Sequence, residues 1–361
     1  MYTGFLSRAM IKLGWQVTIF INPKAKFWPS LNLSNVVFVP VSDPLAIPAL
    51  LPATRSTIIL HTALPDRLLA ELKNKHTVIC FAHMPRPSPY NDCHYVFAVS
   101  QYVLKTLQAV QVHHCYPYPL YAVADFSRGA EHNRDDIYEQ SAYLWDRRKA
   151  RDYLLSYCYP VFLKLKPKRK FTKRGGLTLG IVSNITPIKQ FSIMFGILSS
   201  IIKKFPQINI EIFGGGGYAS IREFRQSLKP INKQVRFWGQ QSDVSKIYPQ
   251  LDFLMTGLPE KEALGLNVIE AQYCGTPVLA VNAEPFTETV LHEKTGYLYK
   301  DPRTDGGRDF EALLTVLLKA KSYLKPRDYP AHLAQFSFHQ FCQRVEAAMN
   351  FVEQRRKDLP A

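Results

Sequence analysis

The segment Glu262-Ala-Leu-Gly-Leu-Asn-Val-Ile-Glu270-Ala-Gln-Tyr-Cys-Gly275-Thr-Pro277-Val sets two carboxylates eight residues apart, with Gly265 between them. It lies between the strand-like runs Phe253–Met255 and Pro277–Val281. A helix beginning near Gly265 would therefore turn its free N–H groups and positive dipole end toward the carboxyl edge of a sheet, which is a seat for a diphosphate. One turn inside, Glu270 could accept from both hydroxyls of a vicinal diol such as ribose, while Glu262 would reach the other side of the diphosphate. The alternative is a pair of solvated helix-face carboxylates, the commoner case for an arbitrary pair at this spacing. Three further residues sit where strand-like runs hand over to loops: Lys189 in Ser183-Asn184-Ile-Thr-Pro-Ile-Lys189, His61 after Thr57–Leu60, and His83 after the run from Val78. Lys189 could instead be a surface lysine opening a helix, and a lone strand-end histidine is more often structural than catalytic.

The elements that must position these groups follow from periodicity. Leu177–Ser183, Ile208–Phe213, Val235–Trp238, Phe253–Met255 and Pro277–Val281 alternate with amphipathic stretches, which predicts a doubly wound parallel α/β domain. A similar rhythm precedes residue 120, in Val17–Ile21, Val36–Val41, Thr57–Leu60, Val78–Phe81 and Val96–Val99. The expected organisation is a first domain over 1–163 with an atypical insert at about 122–163, a basic linker at 164–176, a second domain at 177–335 and a helical tail at 336–361. Phe5–Leu13 reads as a helix before the strand Gln16–Ile21, with no strand leading into it, so an upstream extension with an apolar strand and a Gly-containing turn is expected.

With 361 residues, 47% of them hydrophobic, the chain can bury more than one core, and its net charge of +16 favours an anionic partner. No apolar run is long enough to span a membrane and no leader plan opens the chain, so a cytoplasmic location is expected, with peripheral binding on the inner face of the plasma membrane as a further option. The six cysteines show no metal spacing and read as reduced thiols. Seven Lys or Arg between Lys164 and Arg174 follow an aromatic stretch from Trp145 to Phe162. That segment either lies on an anionic bilayer or is a solvated linker.

The carboxylate segment resembles the signature of the GT-B glycosyltransferases of family 4, E-x-x-G-L-x-x-x-E-A followed by G-x-P-V. Ile212-Phe-Gly214-Gly-Gly-Gly217, Val235-Arg-Phe-Trp-Gly239, Asp243 to Tyr248, Glu284 to Val290 and Thr295-Gly296 resemble further segments of the family in the same order. Gly4 to Leu13 with Gly14-Trp-Gln-Val-Thr, and Val99-Ser100, resemble its N-terminal half more weakly. The resemblance implies two Rossmann-like domains facing a cleft, with a C-terminal helix crossing back to the first. It also implies retaining transfer of a sugar from a nucleoside diphosphate donor to a glycan or lipid-linked acceptor, with surface polysaccharide assembly as the commonest setting.

By the same resemblance Glu270 binds the donor ribose and Glu262 the transferred sugar. Gly265 and Leu266 offer backbone N–H groups, Lys189 neutralises the leaving diphosphate, His61 and His83 contact sugar or acceptor, and Gly4 belongs to a donor-side glycine loop. Asn184 stands where the family usually carries an arginine, so one cation is lost. No metal is expected, because the second half has no D-x-D segment and cationic groups can stabilise the diphosphate. Two rivals remain: a GT-B-like scaffold that has lost catalysis, and a basic nucleic-acid-binding protein. The second has no zinc-finger, RNP-like or helix-turn-helix punctuation to support it, so no nucleic-acid partner is expected.

Overall fold

The computed structural model describes residues 2–23, 25, 33–84, 90–124, 136–145, 150–165 and 167–356. The chain divides into two compact units, Met1–Asp125 with Ala334–Ala361, and Phe126–Leu333. Helices of eight residues or more are numbered.

In the second unit the apolar runs become β6 (Leu177–Val182), β7 (Ile208–Phe213), β8 (Val235–Gly239), β9 (Phe253–Met255), β10 (Val278–Val281) and β11 (Gly296–Tyr299). They form one parallel sheet in the order β11-β10-β9-β6-β7-β8, with Leu177 to Val182 in register with Ile208 to Phe213. Every residue of β6, β7, β9 and β10 is buried, which is why these strands read as continuous apolar runs and do not alternate. Helices α5 (Phe191–Ile202), α6 (Tyr218–Ser227) and α8 (Arg308–Lys319) cover one face, where Phe195, Phe224 and Phe310 are fully buried beside Leu179 and Ile181. Burying each such ring is worth about 1.5–3 kcal/mol. Helix α7 (Leu266–Tyr273) packs Val268 and Ala271 on the opposite face with Leu254, Val278 and Trp238.

In the first unit β1 (Thr18–Ile21) pairs in parallel with β2 (Val37–Pro40), and β3 (Thr57–Leu60), β4 (Thr77–Ala82) and β5 (Tyr95–Ala98) form a second parallel sheet. The rhythm before residue 120 is thus parallel α/β as expected, but split between two sheets. Strands β4 and β5 are wholly buried, whereas all four residues of β3 and the three apolar residues of β1 are only half-buried. Among the described residues β1 and β3 each pair through one edge, which leaves an apolar strand partly open. Helix α1 (Tyr2–Lys12) precedes β1, α2 (Asp66–Lys75) leads into β4, and α3 (Gln101–Ala109) follows β5, capped by Ser100 Oγ accepting from Val103 N–H. The C-terminal α9 (Phe338–Arg356) packs on α1, with the Arg8 guanidinium 4.6 Å from the Phe338 ring centre. The strand expected before Gly4 lies outside the described residues.

Three expectations change. The first unit ends at Asp125 and not at residue 163, because the insert binds to the second unit: Gln140 N–H donates to Trp238 O, Leu144 N–H to Gly216 O and Phe171 N–H to Ile137 O. The basic segment at 164–174 is largely neutralised within the chain, where Arg169, Lys170, Lys173 and Arg174 pair with Glu139, Asp136, Asp252 and Glu211. Lys166 and the side chain of Lys164 lie outside the described residues. Cys80 on β4 and Cys93 just before β5 form a disulfide, with Cα atoms 6.0 Å apart, so the reading of six reduced thiols does not hold for that pair. Their spacing of thirteen residues carries no signal for it; the packing of the loop before β5 against β4 brings them together.

Candidate functional site

The sheet order places a switch point between β6 and β9. From β6 the chain moves outward to β7 and β8, then returns to β9 on the other edge of β6. Loops leaving the carboxyl ends of these two strands diverge to opposite sides and open a crevice, the usual ligand position in an open α/β sheet. Lys189 comes from the loop after β6, and Glu262 and Gly265 from the loop after β9. The two loops touch at Gly257, where an added Cβ would lie 2.0 Å from Lys189 O. Gly257→Ala is therefore expected to destabilise the fold by about 1–3 kcal/mol through forced backbone separation, measured by denaturant unfolding. Gly196→Ala in α5, where an added Cβ meets nothing within 4 Å, is expected to be neutral or stabilising by up to about 1 kcal/mol.

Lys189 Nζ donates to Glu262 Oε2, so the structure joins two residues that are 73 positions apart. Glu262 Oε1 accepts from the N–H groups of Ala263 and Gly265, both at 3.3 Å. Gly265 caps α7 with a φ of 79°, a left-handed conformation that favours glycine. Its N–H points to Glu262, which differs from the expected donation to a diphosphate. Leu266 and Asn267 open α7, and as first-turn residues their N–H groups lack intrahelical acceptors. The Asn267 amide donates to Val182 O at 3.2 Å and so ties the start of α7 to the end of β6. Asn184, just past β6, is exposed.

Glu270, one turn into α7, is 6% exposed and accepts the Tyr248 hydroxyl at Oε2, 2.8 Å away. Burial pushes its carboxyl up to about 7, against the lowering effect of the Tyr248 hydrogen bond. Tyr248 lies in a short 3₁₀ turn and no sequence signal assigned it a role. A second unforeseen group flanks Lys189. Gln190 Nε2 donates to Glu260 Oε2 at 3.1 Å, and the Arg303 guanidinium bridges Glu260 and Asp301. The Arg303 pairing holds the Glu260 carboxyl below its ordinary value.

His61 and His83 lie in the first unit. His61 Nδ1 and His83 Nε2 are 2.8 Å apart, and both rings stack on Phe81. Burial, and for His61 also the neighbouring His83, lowers their pKa values to about 3 and about 4. They are consequently a neutral hydrogen-bonding pair near pH 7, suited to recognising hydroxyls and not to donating protons. Gly4 is not in a loop but in the first turn of α1. The Tyr2 ring of that turn lies 5.4 Å from the His83 ring, centre to centre.

Residues 165–324 match the family described as Glycosyl transferases group 1. An uncharacterised glycosyltransferase of Haemophilus influenzae is 29% identical over 157 residues, which cover 43% of each chain. The N-acetyl-alpha-D-glucosaminyl L-malate synthase of Bacillus anthracis is 28% identical over 128 residues, covering 36% of this chain and 33% of its own length. These alignments therefore span less than half of either relative. Among solved structures, HepE of Anabaena in complex with UDP and glucose covers 96% of this chain and 95% of its own at a TM-score of 0.64 and 16% identity. Sucrose-phosphate synthase of Thermosynechococcus elongatus covers 97% and 92% at a TM-score of 0.64 and 14% identity.

Proposed function

We propose that the protein transfers a sugar from a nucleoside diphosphate donor to a hydroxyl of a glycan or lipid-linked acceptor, with retention of configuration; the match of residues 165–324 to the group 1 glycosyl transferases and the GT-B-like α/β fold support this reading. The observation that carries this reading is the meeting of Lys189, Glu262 and the α7 N-terminus at the β6/β9 switch point. In the reaction the bond between the sugar and the diphosphate breaks, the acceptor oxygen bonds the same sugar carbon and passes its proton to the departing diphosphate, and negative charge grows on that diphosphate in the transition state. Lys189 and the N–H groups of Leu266 and Asn267 stabilise that charge. The diphosphate competes with Glu262 for Lys189, which leaves the Glu262 carboxylate to hydrogen-bond the hydroxyls of the transferred sugar. Glu270 takes the donor ribose. His61 and His83, as a neutral pair, fit recognition of sugar or acceptor hydroxyls. Surface polysaccharide assembly, on the cytoplasmic side of the membrane, is the setting in which such a transfer is commonest.

The bound UDP of the Anabaena structure makes UDP the first donor nucleotide to try. A ligand that binds only the folded chain stabilises it by RT ln(1 + [L]/Kd), about 2.7 kcal/mol at a hundredfold excess over Kd. A thermal-shift panel of UDP, GDP, ADP, dTDP and CMP is expected to give one clear rise with a diphosphate. If none of them raises the melting temperature, the donor reading fails.

A further inference from the structure

Helix α4 (Ala150–Leu165) ends where the family match begins and, among its described side chains, presents an apolar stripe to solvent. Its buried positions include Asp152, 6% exposed, and Ser156, 9% exposed. Its outer side carries Tyr153, Leu154, Tyr157 and Val161, exposed by 50, 65, 55 and 58%, together with exposed Cys158. Positions 153, 157 and 161 follow one another at i, i+4 and i+8, and 154 and 158 run beside them, so all five share one face. Leu144, 44% exposed, precedes them on the same insert. The inner face is occupied by Asp152, Leu155, Ser156 and Tyr159, so the exposed stripe is a second apolar face, and a contiguous apolar face turned to water marks a contact with an apolar phase.

Charge selects the occupant. In sequence, residues 147–168 hold seven Lys or Arg against the single acid Asp152, and they bracket the helix at both ends. Lys168 is exposed. By this sequence charge a second copy of the same segment would repel the first, whereas an anionic bilayer would attract it. Tyrosines suit the interface, because the ring sits among acyl chains while the hydroxyl stays with the headgroups. The helix is 16 residues long, about 24 Å at 1.5 Å per residue, too short to cross the hydrocarbon core but suited to lying in its plane. Among the described residues no helix is long and apolar enough to cross a membrane.

We propose that α4 is a membrane-docking helix that lies on an anionic lipid surface through Tyr153, Leu154, Tyr157, Cys158 and Val161. The basic segment from Arg169 to Arg174 then serves mainly to hold the linker to the second unit through its ion pairs. This proposal does not depend on the donor site, and its test can fail while nucleotide binding survives.

The test is co-sedimentation of the full chain with vesicles of pure phosphatidylcholine and of phosphatidylcholine with 30% phosphatidylglycerol. Binding to the anionic vesicles is expected at least tenfold above the neutral ones. Leu154→Glu, at the most exposed of the face's large apolar residues, is expected to lower it at least fivefold, and Tyr153→Ser/Leu154→Ser/Tyr157→Ser at least tenfold. The melting temperature with and without nucleotide reports whether each variant is folded, and the single exposed substitution keeps the test decisive if the triple variant does not fold. Equal binding by wild type and a folded Leu154→Glu would overturn the proposal. So would absence of binding to anionic vesicles, or a dimer in sedimentation velocity that Leu154→Glu dissolves.

Discussion

Lys189→Ala is expected to lower turnover by about 10²–10³-fold while weakening donor binding much less, because the charge it faces is larger in the transition state than in the ground state. Removing one preorganised donor aimed at a developing anion typically costs that much. Where the related signature carries an arginine, this chain has Asn184, which is exposed and uncharged, so a larger share of the stabilisation rests on Lys189. The substitution also removes the partner of Glu262. Thermal unfolding of the variant separates lost catalysis from a disturbed loop, and steady-state release of the nucleoside diphosphate reads turnover. A kcat within threefold of wild type, with the fold intact, would remove Lys189 from the leaving-group role. A loss confined to binding, with kcat unchanged, would make it a ground-state anchor instead.

The second large effect concerns pH. Glu270 is buried with a carboxyl raised to about 7 from an ordinary 4.5, so between those values the folded chain holds a proton that the unfolded chain has released. Stability from this group is fully present below about pH 4.5, falls as pH rises, and levels off above about 7; the span is about 3 kcal/mol. In the proposed donor site, ribose hydroxyls would donate to the ionised carboxylate. Diphosphate affinity should therefore rise about tenfold per pH unit below 7 and flatten above it, with about one proton released per nucleotide bound near pH 6. Glu270→Gln is expected to abolish both the pH dependence of affinity and this part of the stability slope. Calorimetric titrations in two buffers of different ionisation enthalpy measure the released proton directly. Wild-type affinity that is flat from pH 5.5 to 8 would mean that Glu270 does not ionise to meet the ribose.

These two residues also show how far the primary structure reaches. The runs Leu177–Val182, Ile208–Phe213 and Phe253–Met255 are legible as buried parallel strands because burial on both faces demands unbroken apolar sequence, a local constraint. The start of α7 at Gly265 is equally local, since a left-handed cap favours glycine. The first unit is less legible: apolar runs identify β1 and β3, but periodicity carries no information on which edges pair, and the pairing splits them between two sheets.

What the sequence by itself determined is therefore the strands, the α7 cap and the types of the groups at their ends. Only the tertiary structure decided that Lys189 meets Glu262, that Tyr248 meets Glu270, that four of the linker cations pair with Glu139, Asp136, Asp252 and Glu211, and that α4 leaves Tyr153, Leu154, Tyr157 and Val161 exposed. The physical reason is common to all four. Each depends on which distant strand or loop lies alongside, and charge pairing and desolvation are set by those neighbours in space and not by spacing along the chain.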